Sequence, residues 1–195
     1  MKNIKRCLDK MNDLFCKEWE QAGTAHLPIF MQILYDDIMD DELHLNIKIF
    51  ILKLLVNNQK LFKPYAQHWF IPICKFIVSN KTGGKGFHYF LRDLATLLIS
   101  WTDDFNPEKR DRDLCSDVIN TLVKLSADKI TYIFNINIEI VASLLHKWAK
   151  FVTIDKAIIC NMLSVPDSKE GSHLWKMTAI QIVALACSFD IPIRT

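Results

Sequence analysis

Between Phe87 and Trp101 the apolar residues Phe87, Phe90, Leu91, Leu94, Leu97, Leu98 and Trp101 recur every three or four positions, with Arg92, Asp93, Thr96 and Ser100 between them. That period belongs to an α-helix with one buried face. The same rhythm runs through Ile4, Leu8, Met11, Leu14, Phe15 and Trp19, through Leu114, Val118, Leu122 and Leu125, and through Ile138, Val141, Leu145 and Trp148. Only 5 glycines and 6 prolines stand among 195 residues, too few to turn the many short strands of a sandwich or barrel. A hydrophobic share of 50% and a net charge of +2 describe a folded domain and exclude a strongly polybasic DNA binder.

The pattern predicts a first helix over 2–20, ended by Gly23 and Thr24, and a second from near Leu27 to Met39 with Pro28 in its first turn. Asp36, Asp37, Asp40, Asp41 and Glu42 follow closely, and some of them suit the N-terminus of the next helix, where the dipole favours negative charge. That helix, about 42–57, is apolar on most sides, which predicts burial between neighbours. Pro64 is placed to open a helix and Pro72 to kink or divide one. The segment NKTGGKG reads as a turn, and DDFNPEKRDRD as an exposed polar loop. Further helices are expected near 155–163 and 171–188. Helical pairs then begin near 42, 86, 128 and 168, a period of roughly 40 to 45 residues. The expected fold is all-α, a HEAT- or armadillo-like α-solenoid segment of about 8–10 helices.

Six cysteines, at 7, 16, 74, 115, 160 and 187, include no CxxC pair for zinc or redox chemistry. They read as reduced, buried small hydrophobes of a cytosolic or nuclear protein, since the opening MKNIKRCLDKMNDLFCKEWE has no apolar signal core. The most apolar run, Leu43 to Val56, is shorter than the roughly 20 residues of a membrane span.

From 46 to 102 the residues become specific. Asn46, Ile47, Lys48 and Phe50 make an NIK-F pattern, and Leu55, Val56 and Asn57 an LVN run. Phe62, Pro64, Tyr65, Ala66, His68 and Trp69 make F-PYA-HW. Gly83, Gly84, Gly86, His88 and Tyr89 form a GG-G-HY turn, and Ser100, Trp101 and Thr102 close the stretch. Asn137, Glu139, Ile140, Leu144 and Trp148 follow in a second helical motif. These motifs resemble the family of DNA-dependent protein kinase catalytic subunits, in the mid-chain helical-repeat module called NUC194 or CC3. The resemblance covers residues 26–192, with 1–25 a weakly matching N-terminal helix. It departs at Lys85, where the family carries an acid, and over 103–117. It implies a fragment, an incomplete gene product or a free-standing relative of a nuclear serine/threonine kinase of non-homologous end joining. The implied partners are flanking helical repeats and, for the whole assembly, the Ku heterodimer and DNA ends.

Kinase chemistry needs a glycine loop, a strand lysine, an HRD-type loop and DFG. Arg110-Asp111 and Arg112-Asp113 lack the preceding His and the following Asn, so the chain is expected to be non-catalytic, without cofactor or metal. Gly83-Gly84-Lys85-Gly86 fits neither GxGxxG nor the P-loop and reads as a turn requiring positive φ. His26, His44, His68, His88, His146 and His173 include no HExxH or i, i+4 pair, so core or capping roles are expected. Residues 43–92 hold Lys48, Lys53, Lys60, Lys63, Lys75, Lys81, Lys85 and Arg92 and no acid. Helix geometry spreads these over several faces, and a solvated edge is expected rather than DNA contact. Trp69, Trp101, Trp148 and Trp175 are expected in the core. The expected function is a non-catalytic scaffold segment, and the alternative is a free-standing helical adaptor that holds another protein in a groove.

Overall fold

The computed structural model describes residues 3–4, 6–10, 23–79, 85–102, 107–126 and 131–194, with backbone alone for 85 and 131–137. Met11, Leu14, Phe15, Trp19, Cys16, Lys81, Gly83 and Gly84 lie outside the described residues. Among those described there are nine α-helices, two short 3-10 helices and two two-residue strands, so the fold is all-α and of helical-repeat character. The chain divides into two compact units, Met1–Ile73 and Cys74–Thr195.

The first unit holds α1 (Ile29–Met39), α2 (Leu45–Asn57), α3 (Gln59–Phe62), a 3-10 turn (Lys63–Tyr65) and the first part of α4 (Ala66–Ser79). Before α1, residues 3–4 and 6–10 are helical and Leu8 is buried. Pro28 sits at the N-cap of α1 rather than inside its first turn, and its carbonyl accepts from the Gln32 amide at 2.9 Å. The acids do not occupy the first turn of α2. Its N-cap is His44, whose Nδ1 accepts from the Asn46 amide at 3.2 Å, and Asp40, Asp41 and Glu42 stay in the link before it. At the other end the Asn58 side chain donates to the Leu54 carbonyl at 2.8 Å.

Burial on all sides does not hold for α2. Ile51, Leu52, Leu54 and Leu55 are buried, but Leu45, Ile47 and Phe50 are 41%, 46% and 43% exposed. The reason is geometric: a helix turns its side chains through all directions every 3.6 residues, and contact with α1 covers one stripe of it. Pro72 does not divide α4, which runs unbroken through it. The ring removes one amide donor, that to the His68 carbonyl, while Trp69, Phe70 and Ile73 around it are buried and keep the turn packed.

In the second unit, the rest of α4 is followed by α5 (Lys85–Trp101), a 3-10 turn (Lys109–Asp111), α6 (Arg112–Ser126), α7 (Thr131–Trp148), β1 (Ile154–Asp155), α8 (Lys156–Leu163), α9 (Ser172–Ser188) and β2 (Ile193–Arg194). Helix α7 packs against α6, α5 and α9, and α8 against α9. The starts of α2, α5, α7 and α9 recur at roughly 40 to 45 residues, the expected spacing. Gly86 lies inside α5, without positive φ, so the helix has already begun at Lys85, within the segment expected to be a turn; residues 80–84 of that segment lie outside those described. The polar loop before α6 is not wholly exposed: Pro107 and Asp111 are buried. Asp111 accepts from the Glu108 amide at 2.8 Å and so closes its own turn, which lets the carboxylate leave solvent.

The strand pairing was not expected. Ile154 pairs with Ile193 and Asp155 with Arg194 in parallel register. Beyond α9, the Ile191 amide donates to the Ala186 carbonyl at 2.8 Å and the Asp190 amide to the Cys187 carbonyl at 3.5 Å, with Asp190 itself left-handed at φ 54°. This is the Schellman closure, with an aspartate where glycine is cheapest. Replacing Asp190 with Gly is expected to raise stability by about 1 kcal/mol by removing the Cβ clash, measured by urea unfolding.

Candidate functional site

In the first unit the F-PYA-HW residues build the core. Trp69 is fully buried; its ring meets Phe62 edge-on at 5.5 Å and 85°, and Tyr35 at 6.1 Å and 62°. Such edge-to-face pairs add to the area that aromatics bury. Tyr65 is buried beside them, and burial pushes its hydroxyl pKa up because the charged form would lose its water. Pro64 sits exposed at the start of the 3-10 turn, and Ala66 is buried. His68 faces outward: its Nε2 lies 3.0 Å from the Thr24 carbonyl, to which Gln67 also donates at 3.1 Å. Because a carbonyl only accepts, His68 carries its proton on Nε2. The pair tethers the segment before α1 to α4.

Other motif residues lie apart from this cluster. Asn46, Phe50 and Asn57 are exposed on α2. In the second unit, His88 and Tyr89 are half-buried on α5, with the Arg92 guanidinium 5.0 Å from the Tyr89 ring centre and 3.1 Å from Asp93. Trp101 and Trp148 are buried, and Thr102 ends α5 with its hydroxyl donating to the Ile99 carbonyl at 2.7 Å. Trp175 is only half-buried, with the Lys169 ammonium 5.6 Å from its ring centre, because its stretch of α9 stands next to the 164–171 loop.

Among the described residues no group of three or more His, Cys, Asp or Glu is placed to hold a metal ion, and no helix is long and apolar enough to cross a membrane. The histidines have local roles: His44 caps α2, His68 tethers Thr24, and His146 meets the Phe189 ring at 5.3 Å. The basic residues Lys48, Lys53, Lys60, Lys63 and Lys75 are distributed over α2, α3, the 3-10 turn and α4.

Cys7, Cys160 and Cys187 are exposed, against the expectation of burial, because they fall on the solvent side of their helices. Cys74 and Cys115 are buried in the second unit. Burial raises both thiols, Cys115 from the ordinary 9.0 to about 12, and the Asp111 carboxylate adds in the same direction. A thiol so held is a poor nucleophile. At pH 8 iodoacetamide is expected to modify Cys7, Cys160 and Cys187 while Cys74 and Cys115 react only on unfolding, as read by peptide mass mapping. Below pH 9 both folded and unfolded Cys115 are neutral. Above it the unfolded chain loses its proton first, so stability is expected to fall towards pH 12 by at most about 1.4 kcal/mol per unit, less in Cys115→Ala.

A clamp that sequence reading missed joins α6 to β1. Asn120 accepts from the Asp155 amide at 3.0 Å and donates to the Thr153 carbonyl at 3.3 Å, while the Thr153 amide donates to the Ser116 hydroxyl at 2.9 Å. The side chain thus supplies the edge of β1 with the hydrogen bonds a further strand would give. The only local signal is an amide on a helix whose neighbours Val118, Ile119 and Leu122 are buried. Asn120→Ala is expected to cost roughly 1–3 kcal/mol, since the Thr153 carbonyl and the Asp155 amide lose their partner, seen as a lower urea midpoint at unchanged slope.

Two features face outward. A groove of about 360 Å³ runs between α7 and α9, lined by Ile138, Ala142, Ala184 and Leu185 with Glu139, Gln181 and Ser188 at its edges. On α8 and α9, Leu163, Met177 and Ile180 are exposed, as are Ile29 and Ile33 on α1.

Comparison with known proteins bears on all of this. The family described as "DNA-dependent protein kinase catalytic subunit, CC3" matches residues 1–107. The chain is similar to the DNA-dependent protein kinase catalytic subunit of Gallus gallus, 29% identical over 185 residues, covering 93% of this chain and 4% of that protein. Its similarity to the protein of the same name from Xenopus laevis is 30% over 171 residues, 86% of this chain and 4% of the relative. For Dictyostelium discoideum it is 28% over 176 residues, 87% and 4%. The chain therefore spans about 4% of the length of the curated relatives it matches.

Proposed function

The chain belongs to the family of DNA-dependent protein kinase catalytic subunits, in its CC3 region, and on that premise we propose that it is a non-catalytic, HEAT-like scaffold segment serving repair of DNA double-strand breaks by non-homologous end joining. The family match over residues 1–107 carries the reading. The placement of the motif residues supports it. Phe62, Tyr65, Trp69, Trp101 and Trp148 fill cores, and His68 is a tether, so most of the motif is spent on holding shape. Residues 26–192 act as one CC3-like module and 1–25 as its leading helix.

The relatives are named as catalytic subunits of a kinase, but the work of this segment is mechanical. Arg110-Asp111 and Arg112-Asp113, the nearest approach to a catalytic-loop sequence, fall in the 3-10 turn and the start of α6, where Asp111 is consumed by its own turn. Exposed apolar residues on α1, α2, α8 and α9 support stacking against flanking repeats of the same long polypeptide, as each repeat of a solenoid buries its face on the next. On the same proposal, Ku and DNA ends are partners of the whole assembly and the chain works in the nucleus. The α7–α9 groove favours a second reading, an adaptor that holds a partner's helix.

The isolated chain is expected to show no phosphotransfer to a peptide substrate. A chicken catalytic subunit carrying this segment in place of its own is expected to restore end joining in cells lacking that subunit. A folded, nuclear chimera with intact kinase activity and no repair would exclude the scaffold reading and leave the adaptor.

A further inference from the structure

Helix α7 is in contact with both α5 and α9, so the three follow one another in one layer, and α8 packs against α9. The His146 ring in the last turn of α7 meets the Phe189 ring just past the end of α9 at 5.3 Å, so α7 and α9 run parallel. Between them lies the groove of about 360 Å³, where Ala142 and Ala184 stand between the larger Ile138 and Leu185. From Gln181 to Ser188 it follows α9 for two turns, about 10 Å. A further solenoid repeat would add beyond α8 and α9, whereas this groove lies between two helices that are already neighbours, so stacking leaves it open.

Among the described residues one charged group lines the groove, Glu139. The second helical motif contains Glu139, Leu144 and Trp148. Leu144 and Trp148 are buried and hold the fold, whereas Glu139 is exposed and its carboxylate has no ion-pair partner among the described residues. A dry space of about 150 Å³ holds one benzene-sized group, so the groove has room for two aliphatic side chains. Its alanines let a third helix approach closely. A small organic ligand buries most of its surface in its pocket, which a trough with Gln181, Ala184 and Ser188 exposed to water does not give; a helix needs only one face covered. We infer that the groove takes a cationic amphipathic helix of a separate protein, with aliphatic residues at i and i+4 set over Ala142 and Ala184 and a Lys or Arg one turn away paired with Glu139. The inference deepens the adaptor reading of this groove, rests on it, and adds the partner's charge and spacing.

The probe is a synthetic 18-residue helix with one leucine face flanked by lysines, titrated into the isotope-labelled chain. Amide shifts are expected over residues 138–142 and 181–188. Glu139→Gln is expected to lower the affinity roughly two- to fivefold, the worth of an exposed ion pair. Glu139→Lys is expected to reverse the preference, so that a leucine–glutamate helix binds better than the lysine one. Ala184→Trp, at an exposed position, fills the groove and is expected to remove binding while the circular dichroism spectrum and urea midpoint stay unchanged. Equal binding of the leucine–glutamate helix to the unaltered chain, or a preference that Glu139→Lys does not move, would overturn the proposal and leave the adaptor reading standing. Shifts centred on Met177 and Ile180 would overturn it in favour of the stacking face. No shifts at millimolar concentration of either helix would overturn the proposal and the adaptor reading together, so the two failures are told apart.

Discussion

A helix of three or four turns is marginal by itself in water. Every helix in this chain is therefore held by the stripe it buries against another helix, and the architecture follows from how those stripes are shared. In the first unit the sharing centres on Trp69, whose ring is closed in by Phe62 from the end of α3 and by Tyr35 from α1. One side chain thereby ties α4 to the short helix just before it and to α1, more than thirty positions earlier. In the second unit α7 takes the same role as a whole element, being in contact with α5, α6 and α9.

Polar groups do the work where helices stop. His44, Asn58, Asp155 and the Glu108–Asp111 pair each satisfy backbone groups that helix geometry leaves over. Asn120 and Ser116 do so at a distance, giving the backbone of Thr153 and Asp155 partners on α6. This matters for a repeat protein: its helices must be set at fixed spacings, and a two-residue strand pair anchored by an amide sets the separation of α6 and α8 more firmly than apolar packing alone. What is left over is a surface of incompletely used stripes, and the proposed functions all arise there.

Much of the candidate surface could be read in advance only in part. The acids at 36–42 and the apolar run after them are plain in the residues, but their use was misjudged. Acids before a helix suggest a charged cap, yet His44 stands nearer the free amides and takes the position. A helix apolar on most sides suggests full burial, yet burial requires neighbours on all sides, and residue type does not say how many a helix will have. Cys160 and Cys187 were misplaced for the same reason. The buried pair Cys74 and Cys115 near Asp111 was beyond reach, because it depends on α4 meeting α6 across forty-one positions.

By itself the sequence determined the helical class, the roughly 40-to-45-residue recurrence and the family, because a 3.6-residue period and a motif such as Phe62 to Trp69 are local properties that survive any packing. Most helix ends near Met39, Trp101 and Ser188 were legible for that reason. The tertiary structure decided which side of α2 meets solvent, that Pro72 stays within a helix, and that Ile154 finds Ile193. Those outcomes rest on contacts between residues far apart in the chain, whose free energy depends on what the other element presents, and no local pattern carries that information.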